Sequence, residues 1–400
     1  MFPTMIDIAA SAEHFFFPIR SLTTPSLFVE ALSQKVQRRS PVGVTLRDVG
    51  TLTTLVEFNG RNGQTPFSGL IQGIDGNFYG TTFEGGTSNL GTVFKMKPSG
   101  PLTTLVNFNN KNGKNPRAGL IQTRDGNFYG TACQGGTSNS GTVFRMKSDG
   151  TLKTLVNFKG SNGRCPRARL LQAKDGNFYG TTQLGGTLNS GTVFRMKPDG
   201  TLTTLVNFRG SNGLNPYAGL IQASDGNFYG TTFFGGTFND GTVFRMKSDG
   251  SLTTLVNFSG TNGKAPAAGL IQAKDGNFYG TTQTGGASTT FGTVFRMQLN
   301  GTLKTLVNFN EINGAFPNAE LIQTRDSKFY GTTSNGGRSG SGTIFSMTSS
   351  GKVTTLVNFN GANGLSPYAE LLQAKNTNFY GTTSSGGRSF DGNVFKLVLP

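Results

Sequence analysis

The sequence predicts an all-β protein: a seven-bladed β-propeller with four strands and about 50 residues in each blade. Three observations predict it. The chain repeats nearly the same segment seven times. Each copy holds four short apolar runs cut by turn residues. The first copy opens with a strand that has no partner, and the last copy lacks that same strand at its end.

The repeated segment reads DGNFYGTT, with its first residue at Asp75, Asp125, Asp175, Asp225, Asp275 and Asp326; Asn376 stands there in the last copy. The spacing is 50 residues, except one step of 51 caused by a longer loop before Gly292. A period of this size marks a stacked or radial array whose units cannot bury their apolar faces alone. Around the third copy the runs are ARLLQA, NFYGTT, GTVFRM and TLTTLVNF. Val, Leu, Phe, Tyr and Thr fill them and Gly, Asn, Asp and Pro separate them, which is strand chemistry. No window of 51–400 sustains a 3.6-residue period, so almost no helix is expected there. Asp-Gly between two apolar runs favours a tight hairpin, because Gly adopts positive φ without a steric penalty. With the runs ordered from inner to outer strand, 51–58 supplies the outer strand missing from the last blade. Ring closure of this kind removes the free edge of an open stack. An open β-solenoid is the alternative, but its coils are usually shorter than these copies.

Composition excludes several chemistries. The only His is His14, outside the repeats, so a His-based triad or His metal site in 51–400 is ruled out. Two cysteines, Cys133 and Cys165, are too few for a zinc site. The strand order places both in loops on one face of neighbouring blades; free thiols are the default reading and a disulfide the alternative. The Asp of DGN lacks the further carboxylates of a calcium loop, and is expected to cap its turn. The Gly-rich GGTSNSGT loops have no Lys-Ser/Thr after them and open no helix, so they do not read as phosphate cradles. No cofactor is implied.

Net charge is +16, of which the first 50 residues, with five basic and four acidic side chains, carry +1. Arg124, Lys174, Lys274, Arg325 and Lys375 precede the first turn of their copies, and Lys97, Lys147, Lys197 and Lys247 precede the second. Both turns belong to one rim, where such a ring would suit an anionic polymer; a solubilising surface charge is the preferred reading. The aromatics keep structural register instead of interleaving with the cations, so specific nucleic-acid binding is not expected. Residues 1–50 stand outside the repeat and read as an unstructured leader, with a short amphipathic helix at 27–36. They hold no run long enough to span a membrane and no clean signal peptide, since Asp7, Glu13 and His14 interrupt any apolar core.

With DGNFYGTT, GG and GTVF as the pattern of seven copies over 51–400, the repeat resembles the GloVer tandem-repeat family, named for its first bacterial sources. The last two copies depart from the pattern at DSKFYGTT and NTNFYGTT, with GTIFSM and GNVFKL. The resemblance implies a propeller-like, mostly bacterial, often exported protein. Such proteins often carry a C-terminal sorting anchor, which is not seen before Pro400. A kelch propeller is a weaker likeness: it shares the period and the Gly-Gly pair but lacks the expected Trp.

The turns and strand cores barely change between copies. Variation gathers in two loops of the opposite face, such as KGSNGRCPRAR and QLGGTLNS, where a rigid frame would present a binding site. One column just before the inner strand reads Gly69, Gly119, Arg169, Gly219, Gly269, Glu320 and Glu370, and is expected at the mouth of the central channel. Two residues upstream stand Phe67, Arg117, Arg167, Tyr217, Ala267, Asn318 and Tyr368. The candidate ligand-binding set is therefore Arg117, Arg167, Arg169, Tyr217, Glu320, Tyr368 and Glu370. Three readings apply. Glu320 and Glu370 are a drifted, solvated pair; or they belong to a polar pocket for a glycan or small molecule; or they act as acid and base of a glycoside hydrolase or lyase. The expected function is a monomeric, non-catalytic module of the cell exterior or envelope that binds a glycan, small molecule or protein. The alternatives are a carbohydrate-active enzyme and a purely structural scaffold.

Overall fold

The structure, a computed structural model, describes residues 49–287 and 290–400. The expectations for a leader and a helix at 27–36 fall outside the described residues. Seven four-stranded antiparallel sheets follow one another along the chain, and the described residues contain no helix. Blade 3 is typical, with strands Leu171–Gln172, Phe178–Thr182, Thr192–Met196 and Leu202–Asn207 in that order. Blades 1 to 6 are built this way, starting at Ile71, Ile121, Leu171, Ile221, Ile271 and Ile322. Blade 7 takes its inner three strands from the chain end and its outer strand, β1 (Thr51–Glu57), from the start. Thr51 lies opposite Val398 and Glu57 opposite Asn393. The seven-bladed propeller and its closing strand are thus as the sequence predicts.

The second strand of each blade is buried throughout, as Phe178–Thr182 illustrates, because neighbouring blades cover both its faces. Its glycine is required by close approach. A Cβ on Gly180 would lie 2.5 Å from Phe194 Cζ and 3.0 Å from Leu170 Cδ2. The outer strand, covered on one side only, alternates between half-buried and exposed positions before its buried Val206. Inner strands are shorter than the run ARLLQA suggests, only two residues each. The reason is a competing bond: the Thr131 hydroxyl of blade 2 donates to the carbonyl of Ala168 (3.3 Å), which is therefore used between blades and not in the sheet.

Blades adhere through one repeated set of contacts. Tyr179 packs on Phe228 of the next blade with ring centroids 4.2 Å apart, and Val193 and Val206 face Leu220, Phe244 and Met246. The same aromatic pair recurs around the ring to Phe78 and Tyr380, 4.3 Å apart, across the seam. Burying one such aromatic contributes about 1.5–3 kcal/mol. Beside each pair a buried Thr donates to a carbonyl of the next blade, as in Thr181 Oγ1 to Ala218 O (2.8 Å) and, at the seam, Thr382 Oγ1 to Ser68 O (3.0 Å). At the inner rim, Gln122 Oε1 accepts from the Ile74 N–H (2.8 Å) and Gln72 Oε1 from the Lys375 N–H (3.1 Å), again including the seam.

In the DGN turn, Asp175 accepts from the Asn177 N–H (3.0 Å) and the Tyr179 hydroxyl (2.9 Å). Its carboxylate oxygens are occupied in capping the turn and holding the tyrosine. Burial alone would raise the Asp175 carboxyl, but the bonds from Asn177 and Tyr179 outweigh it and hold it below the usual carboxylate range.

Two substitutions test this packing. Thr181→Val leaves the Ala218 carbonyl without its donor and is expected to destabilise by about 1–3 kcal/mol. Gly180→Ala overpacks against Phe194 and is expected to cost about 1–3 kcal/mol. Urea denaturation checks both.

Candidate functional site

The up-and-down strand order sends both variable loops of a blade to one face and both hairpin turns to the other. The two loops are tied to each other. In blade 3 Arg164 and Leu184 exchange backbone hydrogen bonds of 2.7 and 3.0 Å, and equivalent bridges join Gln64 to Glu84 and Leu214 to Phe234. The loop face is therefore a hydrogen-bonded extension of the sheets.

The seven candidate residues fall into two groups. Arg117, Arg167, Tyr217 and Tyr368, all half-buried, form the first on the loop face. The Arg117 guanidinium lies over the rings of Phe83 (4.4 Å) and Phe67 (5.2 Å), and Phe67 meets Tyr368 edge-on at 5.6 Å. Arg167 lies 3.9 Å over the ring of Tyr217, which stacks on Phe233 at 4.2 Å. Gln183 accepts from Arg167 Nη1 (3.2 Å) and donates to the Tyr217 hydroxyl (3.4 Å). Burial, then the charge of Arg167, pushes the Arg117 guanidinium down to about 9, so it stays protonated at neutral pH. Phe83, Gln183 and Phe233 were not among the residues expected from sequence. They share one column of the second loop, and that column holds Phe, Cys, Gln, Phe, Gln, Ser and Ser at 83, 133, 183, 233, 283, 334 and 384.

Arg169, Glu320 and Glu370 form the second group, in the central channel. Arg169 of blade 3 reaches across the ring, with Nη2 3.3 Å from Glu320 Oε2 and Nη1 3.7 Å from Glu370 Oε1. Both carboxylates are thus within reach of one guanidinium. Glycines of the same column make room for them. A Cβ on Gly69 would stand 2.6 Å from the Glu370 Cδ, and one on Gly269 would strike the Glu320 carboxylate. Burial raises the Glu320 carboxyl above its ordinary range; Arg169 opposes this and Glu370 adds to it. Glu320 in turn raises Arg169. The three residues line a cavity of about 1420 Å³ that continues along the channel to Lys274, Arg325 and Lys375 on the turn face, where the sequence places these cations. The residues of the first group do not line it.

Cys133 and Cys165 are joined in a disulfide, against the default reading of free thiols. Its place follows from the repeat. At the next interface Asn215 Nδ2 donates to the carbonyl of Gln183 (3.0 Å). Cys165 and Cys133 occupy the columns of Asn215 and Gln183, so the disulfide replaces a contact that other blades make by hydrogen bond. Among the described residues no cluster of His, Cys, Asp or Glu could hold a metal ion, and no helix is long and apolar enough to cross a membrane.

A closed ring of seven near-identical blades with one differentiated loop face and a charged channel defines a tandem-repeat β-propeller. The chain belongs to the Gloeobacter/Verrucomicrobia repeat family, whose pattern matches residues 42–224 and 189–395. No curated protein matches its sequence. Among solved structures it is similar to the extracellular domain of a protein of B. thetaiotaomicron assigned as a hybrid two-component system. That match has 10% identity and a TM-score of 0.59, and covers 86% of this chain and 39% of that one. It is also similar to a protein of Bacteroides uniformis assigned as a 6-phosphogluconolactonase, at 14% identity and a TM-score of 0.52, covering 84% of this chain and 97% of that one. At such identities these likenesses show the fold alone.

Two measurements follow. Thiol titration of the unfolded, unreduced protein is expected to find no free thiol, and reduction to lower stability by about 3–4 kcal/mol, since the bridge closes a loop of separation 32. In a carbon-13 NMR titration the Glu320 carboxyl is expected above the ordinary glutamate range. Arg169→Gln should move it higher still, because loss of the cation further disfavours the charged form.

Proposed function

We propose that this protein is an exported, non-catalytic binding module that takes a glycan on its loop face, at Arg117, Arg167, Tyr217 and Tyr368. The observation that carries this reading is the half-exposed rings of Phe67, Phe83, Tyr217, Phe233 and Tyr368 around two guanidinium groups. The ring surfaces that this packing leaves open, beside fixed polar donors, match the CH groups and hydroxyls of a sugar ring. The bridged loops hold these groups in place beforehand, which lowers the entropy lost on binding.

The Cys133–Cys165 disulfide supports an oxidising compartment. A non-catalytic role is favoured because Arg169 sits between Glu320 and Glu370. A glycosidase pair needs one carboxyl free to protonate the leaving oxygen and the other free to activate water or attack.

A glycan array probed with the full chain is expected to show retention of specific oligosaccharides without change in their mass. Tyr217→Ala and Arg167→Ala should each weaken retention at least tenfold, while Glu320→Gln and Glu370→Gln leave it intact. A ligand mass change that Glu320→Gln abolishes would make the protein an enzyme instead.

A further inference from the structure

The blades are so alike that departures from their pattern can be read column by column. Six such departures are Arg169, Glu320 and Glu370 where other blades have Gly, Lys328 where they have Asn, Ser346 where they have Lys or Arg, and Thr377 in a column otherwise of Gly or Ser. They are far apart in sequence and belong to blades 3, 6 and 7. All six line the cavity of about 1420 Å³.

Ser346 replaces a long side chain where the cavity meets blade 6. In blade 1 the equivalent Lys95 lies across the blade, with Nζ 2.8 Å from Asp75 Oδ2 and 5.6 Å over the Tyr79 ring. In blade 6 Ser346 is too short to lie across the blade in this way, and Tyr330 and Asp326 line the cavity together with Leu356 and Leu399. The space therefore joins the channel to a groove between blades 6 and 7.

Its two ends carry opposite charge. At the channel end one guanidinium faces two carboxylates, a net negative set. At the turn end Lys274, Arg325, Lys328 and Lys375 outnumber Asp326. Between them the wall is apolar, with Leu321, Ile322, Leu371 and Leu372, and the rim glutamines Gln323 and Gln373 supply amides. Glu320 and Arg325 are five positions apart along the chain, so they lie at most about 16 Å apart at ~3.3 Å per residue.

We propose that this cavity is a binding site for a short zwitterionic peptide of about four residues, matched to that span at ~3.4 Å per extended residue. The terminal ammonium pairs with Glu320 and Glu370, apolar side chains lie on the leucines, and the terminal carboxylate meets Lys274, Lys328 and Lys375. A ligand ammonium balances the negative excess that Arg169 alone leaves. The site is separate from the loop face and does not rest on the glycan reading.

The test uses the full chain and the tetrapeptide Ala-Leu-Ala-Leu with free ends, followed by isothermal titration calorimetry. Acetylating its amine or amidating its carboxylate is expected to weaken binding at least tenfold. So are Ser346→Arg, which fills the groove with the side chain of other blades, and the double variant Glu320→Gly, Glu370→Gly, which restores the glycine column. Both variants carry residues that other blades already tolerate, and an unchanged melting temperature separates lost binding from lost fold. Tyr217→Ala should leave peptide binding as it was. No heat with the free peptide at millimolar concentration, equal binding of the acetylated peptide, or unchanged binding in both cavity variants would overturn the proposal.

Discussion

Everything in this molecule depends on the contact between neighbouring blades. A single four-stranded blade is too small to bury its own apolar faces, and its central strand, buried throughout, would be open on both sides. The Tyr–Phe pair and the Thr-to-carbonyl bond meet that need in each copy, including the seam, where Tyr380 meets Phe78 and Thr382 bonds Ser68. The interface residues are consequently the most constant part of the repeat. The Tyr that packs on the next blade also donates to the turn Asp, so one side chain couples the core to the turn face.

That constancy frees the loops and the channel to vary. A loop residue tied down by the Arg164–Leu184 bridge can change its side chain without disturbing the sheet. Each Glu before an inner strand lies against a glycine on one side, Gly69 beside Glu370 and Gly269 beside Glu320. Differentiation in these two blades thus uses the space that glycines of the blades on either side leave open. Arg169 reaches both carboxylates because the intervening column residues on either side carry no side chain to obstruct it.

The ring, its blade number and its closing strand were legible because they depend on period, on Asp-Gly turns and on a strand missing at one end and present at the other. The grouping of Arg169 with Glu320 and Glu370 was legible too, since one column of a closed ring must face one channel. The length of the inner strands was not. Whether a carbonyl such as that of Ala168 bonds within its sheet or to Thr131 is decided by the neighbouring blade. The disulfide was missed because its signal lies in a different interface, where Asn215 contacts Gln183. The division of the candidate residues was hidden as well. Two positions along an extended strand point alike, yet Arg167 is drawn to the ring of Tyr217 while Arg169 enters the channel.

The closing strand also imposes an order in time. Thr51–Glu57 is among the first parts of the propeller to be synthesised, and its partner Asn393–Val398 is the last. At about 5–20 residues per second, translation of the intervening chain takes about twenty seconds to a minute. For that interval the first strand has hydrogen-bonding edges and no sheet to join. Its Thr-rich surface, with Thr51, Thr53 and Thr54 between the apolar positions, keeps that waiting strand from being a purely hydrophobic one. The last strand of the propeller to be made is therefore the one that converts a growing row of blades into a ring.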